Sequence, residues 1–372
     1  MRIDFNRLNE KQQLNLKSAL NAYKEGKITS SQNPPVLYIE LTQNCISNCA
    51  FCKRNWNNNL SYNMNENIFN ILLRDYIPFA SLVCLNGWGE SLILPNLDQY
   101  ISKVSQYGVK IKLTTTLGCR NQRALQSMVD NDVHISVSFD CADKSLYEKI
   151  RKGVSYTTVI NNIEFLVNEM KKRGTLKNNL RLLVAPLQNM NLEYLEKIFV
   201  FSKDLGISEV AIAPLAASLM NFNLLSYHKY KTMIILQKCA RYAKENNIRL
   251  QLIACPFKEL YFEDKIFNQC CHPWLYIFVN YEGNIIFCDH IIRPSSVKYA
   301  IGHISESKDY VWNGEKIKKV RLGHLQSDKK ILPEPCRRCC LHGRYADHEH
   351  EIYDKFVKWL VTEDNLENIR CR

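Results

Sequence analysis

The chain has 372 residues, 46% hydrophobic and 23% charged. That mix fits one large barrel or two ordinary domains and excludes a fibrous or largely disordered protein. Lys and Arg number 49 against 37 Asp and Glu, a formal charge of +12, and there are 15 cysteines.

No run of about 18 uncharged apolar residues is present, so no transmembrane helix is expected. Residues 1–7 lack the apolar core of a signal peptide. The chain therefore reads as cytoplasmic, where clustered thiols point to metal or catalysis rather than disulfides.

Residues 1–33 read as an accessory helix and linker: 7–24 is polar with interspersed leucines, Gly26 stops it, and Pro34-Pro35 blocks continuation. Short apolar runs at 36–41, 81–86, 109–116, 133–140, 180–186 and 209–214 are predicted strands. Amphipathic segments at 66–76, 97–107, 122–131, 159–173 and 192–205 lie between them, and a long helix is predicted at 227–246. Strand–helix alternation of this kind predicts an α/β fold with a parallel sheet and right-handed crossovers. The rhythm changes near residue 250. Residues 274–288 read as a β-hairpin with Gly283 at its turn, and 351–360 as a short amphipathic helix. The expected division is 1–33, 34–250, 251–350 and 351–372.

The segment after the first predicted strand reads Cys45-Ile46-Ser47-Asn48-Cys49-Ala50-Phe51-Cys52. Three thiolates on a tight loop can hold three irons of a [4Fe–4S] cube and leave the fourth open. Zinc is the competing ligand. It usually needs a fourth Cys or His near by, and none lies between Lys53 and Ala80.

This C-x3-C-x-aromatic-C pattern resembles the radical SAM superfamily, with Phe51 at the aromatic position. After the second predicted strand, Gly87-Trp88-Gly89-Glu90 resembles the family's Gly-Gly-Glu motif with one residue inserted. The resemblance implies that this backbone and Glu90 receive the amino group of S-adenosylmethionine. The stretch 136–153 resembles the family's S-x-D…I-R-x-G segment, which implies that Ser138 and Arg151 bind the methionine carboxylate. It also implies a partial (β/α)6 barrel, with its site at the C-terminal ends of the strands.

Further on, Cys271, Gly283, Cys288, Cys336 and Cys339 form C-x11-G-x4-C…C-x2-C. This resembles the SPASM/Twitch auxiliary-cluster domain and implies a second [4Fe–4S] cluster on Cys271, Cys288, Cys336 and Cys339. In the register of a full SPASM domain, further cysteines fall at 345 and 349, but Tyr345 and Glu349 stand there. The shorter, Twitch-like form is therefore expected. Cys270 and Cys340 are neighbours that allow a one-residue slip, and four thiolates suit structural zinc as well.

Cys141 follows the fourth predicted strand and is a candidate hydrogen-atom donor if it faces the cavity; a packed core cysteine is the commoner fate. The nine histidines show no metal spacing.

The resemblance implies reductive cleavage of S-adenosylmethionine to a 5′-deoxyadenosyl radical, with an electron donor such as flavodoxin or ferredoxin. The expected substrate is first a small polar molecule such as a sugar or aminocyclitol, oxidised or epimerised. A peptide or protein side chain ranks second, because 33 N-terminal residues are too few for a peptide-recognition domain. A non-enzymatic zinc module is third. The basic charge favours acidic partners, and no RNA-recognition motif accompanies the basic runs.

Overall fold

The computed structural model describes residues 5–30, 32–52, 62–185, 190–213, 229–252, 270–289, 291, 294–328, 330–337 and 369–371. Its strands are β1 (Val36–Ile39), β2 (Asn48–Cys49), β3 (Leu82–Cys84), β4 (Lys110–Thr115), β5 (His134–Ser138), β6 (Arg151–Lys152), β7 (Leu180–Val184), β8 (Glu209–Ile212), β9 (Arg249–Leu252), β10 (Tyr276–Val279), β11 (Asn284–Ile286), β12 (Gly302–His303) and β13 (Ile369–Cys371).

All six expected parallel strands form, and each lies at its expected place. They run in the order β1-β3-β4-β5-β7-β8, every pair parallel. Parallel neighbours need crossovers, and the amphipathic segments supply them. An N-terminal α1 (Glu10–Lys24) precedes the sheet. The crossovers are α2 (Glu66–Asp75), α3 (Leu97–Ser105), α4 (Gln122–Asp130), α5 (Lys144–Ile150) with α6 (Tyr156–Lys172) and α7 (Leu176–Asn179), then α8 (Leu195–Leu205) and α9 (Lys229–Glu245). Side-chain caps mark several starts: Asn9 closes a capping box on α1, and Asn65, Asn121, Asp143 and Ser155 cap α2, α4, α5 and α6.

Two features differ from the expectation. The break expected near residue 250 falls inside β9, a seventh parallel strand beside β8. Its Arg249-Leu250-Gln251-Leu252 pattern hides a strand because its polar residues pair inside the sheet. Arg249 Nη1 reaches Glu209 Oε2 at 2.9 Å. The C-terminal stretch, expected as a helix and tail over 351–372, adds β13 in parallel to β9; the helix expected at 351–360 lies outside the described residues.

The hairpin also does more than expected. β10 pairs in parallel with β1, with Val36 opposite Tyr276 and Ile39 opposite Val279. β11 and β12 follow antiparallel. The C-terminal segment thus continues the main sheet rather than standing apart from it. Its start is held from outside as well. Trp274 Nε1 donates to Lys27 O at 2.6 Å, and Tyr23 packs edge-on against the Trp274 ring. The fully buried Arg321 donates to Pro273, Ile28 and Trp312 carbonyls.

Strand direction fixes where the two cysteine sets lie. Cys45 follows β1, so its loop is at the C-terminal end of the parallel strands. Cys271 precedes β10, which is parallel to β1, and Cys288 follows the antiparallel β11. Both therefore lie at the opposite end of the sheet.

Candidate functional site

The first cysteine loop is tied to the segment after α5. β2 and β6 form a two-stranded ladder with Cys49 opposite Arg151, and Ala50 N donates to Ile150 O at 2.8 Å. Cys49 is buried, while Cys45 and Cys52 are half-buried. Donors point at the sulfurs: Ser47 N to Cys45 Sγ at 3.4 Å, Ser47 Oγ beside Cys49 Sγ at 2.8 Å, and Arg151 Nη1 to Cys49 Sγ at 3.4 Å. Such donors stabilise thiolate over thiol, which is the form a metal needs. A cavity of about 290 Å³ opens beside Cys45, lined by Asn44, Ile46, Asn63, Ile93, Leu94 and Pro95.

The 87–90 loop lies against this one. A Cβ on Gly89 would stand 2.4 Å from Thr42 O and 2.5 Å from Asn44 O, so only glycine permits the approach. Glu90 N donates to Asn44 O at 2.8 Å. The Glu90 carboxylate, expected to receive an ammonium, is buried and already accepts from Leu92 N, Thr115 Oγ1, Thr116 N and Thr116 Oγ1 at 2.7–3.2 Å. Those four donors fill its lone-pair directions. It fastens the loop to the end of β4.

A second carboxylate, missed in the sequence, supports the same loop. Glu40 follows β1 and is fully buried. It accepts from Trp88 N at 2.8 Å, Gln43 Nε2 at 3.1 Å and Tyr281 N at 3.5 Å. Burial pushes its pKa up to about 7, against the lowering effect of the Trp88 and Gln43 hydrogen bonds. The signal was a lone Glu ending an apolar strand.

Arg151, expected on a ligand carboxylate, forms a buried ion pair with Asp140, Nε to Oδ2 at 2.6 Å, and its guanidinium lies 5.3 Å from the Phe51 ring. Ser138 is nearly buried at the C-terminal end of β5. Cys141 is wholly buried in the apolar core, and its sulfur accepts from Asp143 N at 3.4 Å. It is the packed cysteine rather than the hydrogen-atom donor.

Among the described residues, three buried polar atoms around these loops have no partner: Asn44 Oδ1, Asn86 Oδ1 and Trp88 Nε1. Buried polar atoms are rarely left unpaired, so the chemistry around these loops fits a polar ligand.

At the far end of the sheet, Cys271, Cys288 and Cys336 are buried, as is Cys270. Cys339 and Cys340 lie outside the described residues. Burial pushes the Cys336 thiol up to about 12, so a metal must displace its proton. The structure also brings His272 into this group, which histidine spacing did not reveal. Its Nδ1 is 3.4 Å from Cys288 Sγ, and its Nε2 is 3.4 Å from Asp289 Oδ1. His272, Cys288 and Asp289 together have the donor chemistry to bind a metal ion. Both cysteine sets thus fit metal groups on local chemistry.

Comparison with known families decides the class. Residues 39–198 match the model of the radical SAM superfamily, and residues 270–340 match an iron–sulfur cluster-binding domain, SPASM. The chain belongs to the radical SAM superfamily. This radical SAM protein carries a [4Fe–4S] cluster that binds S-adenosylmethionine, and auxiliary iron–sulfur binding in its SPASM segment. The SPASM match ends at 340, before Tyr345 and Glu349.

No curated protein matches the chain. Among solved structures it is similar to Streptococcus suis SuiB bound to S-adenosylmethionine, at TM-score 0.62 and 15% identity, covering 88% of this chain and 75% of that one. The SuiB complex with its precursor peptide SuiA gives TM-score 0.64 and 14% identity, covering 89% and 74%. The structure of anSMEcpe with bound AdoMet gives TM-score 0.64 and 13% identity, covering 89% and 94%. These likenesses establish the fold. No helix among the described residues is long and apolar enough to cross a membrane.

Proposed function

We propose that this radical SAM protein removes a hydrogen atom from a side chain of a peptide or protein, and that one auxiliary cluster on Cys271, Cys288, Cys336 and Cys339 takes up the electron left on the substrate. The observation that carries this reading is the placement of the two cysteine sets at opposite ends of one sheet, with a polar inner face between them. A substrate there would lie between them.

When bound, the first cluster supplies the electron that splits S-adenosylmethionine into methionine and a 5′-deoxyadenosyl radical. Cys45, Cys49 and Cys52 would hold that cluster. The backbone of Gly87, Trp88 and Gly89 would hold the cofactor's amino group, with Glu90 and Glu40 fixing the loop. Arg151 keeps Cys49 and its loop in place. The substrate gives up a hydrogen atom to the radical, then an electron and a proton, and so loses two hydrogens in all. Asp289, beside Cys288 and close to Tyr38, is the carboxylate placed to take the proton. A flavodoxin or ferredoxin would supply the reducing electron, and the +12 charge favours such acidic partners.

The short N-terminus ranked a peptide substrate second. That argument weakens beside anSMEcpe, whose structures include one with AdoMet and the Cp18Cys peptide; this chain covers 97% of that one. The chain is therefore close in extent to a protein that binds a peptide. SuiB, likewise, is seen with its precursor peptide.

The test is anaerobic reconstitution with iron, sulfide and S-adenosylmethionine under a low-potential reductant. The protein is then challenged with a peptide library and with a panel of sugars and aminocyclitols. The expected result is 5′-deoxyadenosine formation, with individual peptides losing the mass of two hydrogens. Turnover of the sugar panel with no modified peptide overturns the peptide reading.

A further inference from the structure

On the inner face, cross-strand register sets Tyr38, Cys84, Lys112 and His134 at one level across β1, β3, β4 and β5. Side chains at one level of a sheet share a face. The charges beside them are mostly paired within the protein. Arg181 donates to Ser136 at 2.7 Å, Glu209 at 3.2 Å and Gln251 at 2.5 Å, and Glu209 also takes Arg249.

Lys112 differs. Among the described residues its ammonium makes no hydrogen bond and no ion pair. Its environment is deep enough that burial, and then Arg181, lower its pKa, yet the residue keeps partial exposure. Opposite it, His134 Nδ1 bonds Asn178 O at 2.9 Å, while its buried Nε2 has no partner among the described residues. A desolvated ammonium without a partner is costly. A second unpartnered polar atom beside it makes apolar packing a poor account of this spot.

We propose that Lys112 anchors the substrate, binding one of its carboxylates on the inner face between the two cysteine sets. The assignment rests on the reading of that face as the substrate site and deepens it. A carboxylate fits better than a phosphate for two reasons. Lys112 is a single point charge, since the Arg181 fork is already committed to three partners. In addition, Asp289 and Glu209 are close enough to act on Lys112 electrostatically, and their negative charge disfavours a dianion. On a peptide, the anchor is an acidic side chain or the C-terminus near the residue that reacts.

The test uses the reconstituted holoenzyme with S-adenosylmethionine present, so that the cofactor's own carboxylate site is filled. Acetate and inorganic phosphate are the probes, followed by ligand-observed NMR in the wild type, Lys112→Met and Lys112→Arg. Acetate is expected to bind the wild type, to weaken at least about tenfold in Lys112→Met, and to recover in part in Lys112→Arg; a tenfold loss matches removal of one charge-assisted hydrogen bond. Phosphate is expected to bind more weakly than acetate. Equal acetate binding in wild type and Lys112→Met overturns the proposal. So does loss of 5′-deoxyadenosine in a variant with full iron content, which would place Lys112 in the cofactor machinery. If Lys112→Met does not fold, Lys112→Arg decides: acetate and phosphate affinities in that variant equal to those of the wild type contradict a direct contact. If the acetate result holds and no peptide is modified, the peptide reading fails while the anion site stands.

Discussion

At Gly89 a methyl group is enough to separate two loops. The atoms it would strike, Thr42 O and Asn44 O, are backbone of the cysteine loop and cannot swing aside. At Gly87 the obstacle is instead the Glu40 side chain, which is also fixed by its hydrogen bonds. Gly89→Ala is therefore expected to leave the chain folded and the auxiliary iron in place, and to lower S-adenosylmethionine cleavage by at least about tenfold, the cost of a small misplacement of bound groups. Quantifying 5′-deoxyadenosine against iron content checks this; wild-type cleavage in the variant would show that the close approach is dispensable. The sequence made these glycines and the three cysteines readable because their spacing is local. It did not reveal the partners of Glu90 and passed over Glu40. Whether Glu90 faces a ligand or Thr115 and Thr116 depends on how β3 and β4 sit side by side, which spacing along the chain does not encode. The contact of His272 with Cys288 was hidden for the same reason, since it spans the hairpin.

Among elements, the junction of the β1 end, the 87–90 loop and the β10–β11 turn rests on one carboxylate. Glu40 takes the Trp88 amide from one and the Tyr281 amide from the other. With its pKa raised from 4.5 to about 7 by burial, the folded state holds this proton more tightly than the unfolded chain. The group's contribution to stability is then fully present below about pH 4.5 and is lost as pH rises through about 7. A shift of this size corresponds to about 3 kcal/mol. Urea unfolding at a series of pH values should show that fall in the wild type, and a flatter profile in Glu40→Gln. Identical profiles would mean that Glu40 titrates as an ordinary carboxyl. The strands that meet here were legible as short apolar runs. That β10 lies beside β1 was not, because the two are separated by more than 230 positions and nothing in either run names its neighbour.

For the whole molecule, the joining of the C-terminal segment to the barrel sheet bears on what the auxiliary cluster is for. The parallel crossovers were predictable from alternation, so the architecture of residues 36–212 could be read in advance. The boundary near 250 could not, since β9 and the hairpin extend both edges of one sheet. A segment held by the β1–β10 ladder, by Trp274 on Lys27 and by Arg321 on three carbonyls does not depend on a cluster to stay attached. A staple role for the cluster is accordingly weak, and electron uptake is the stronger account. A cluster held by four thiolates would leave no iron open for substrate, which fits the same account. Cys288→Ala should then lose auxiliary iron while keeping the protease resistance of residues 270–337. It should still release 5′-deoxyadenosine, and the oxidised peptide should fall at least about tenfold, because the substrate radical has lost its electron acceptor. If protease resistance and 5′-deoxyadenosine collapse together, the cluster is a staple after all. If oxidised peptide forms as before in a stable variant, the electron leaves by another route, and a redox-neutral reaction becomes the better account of the inner face.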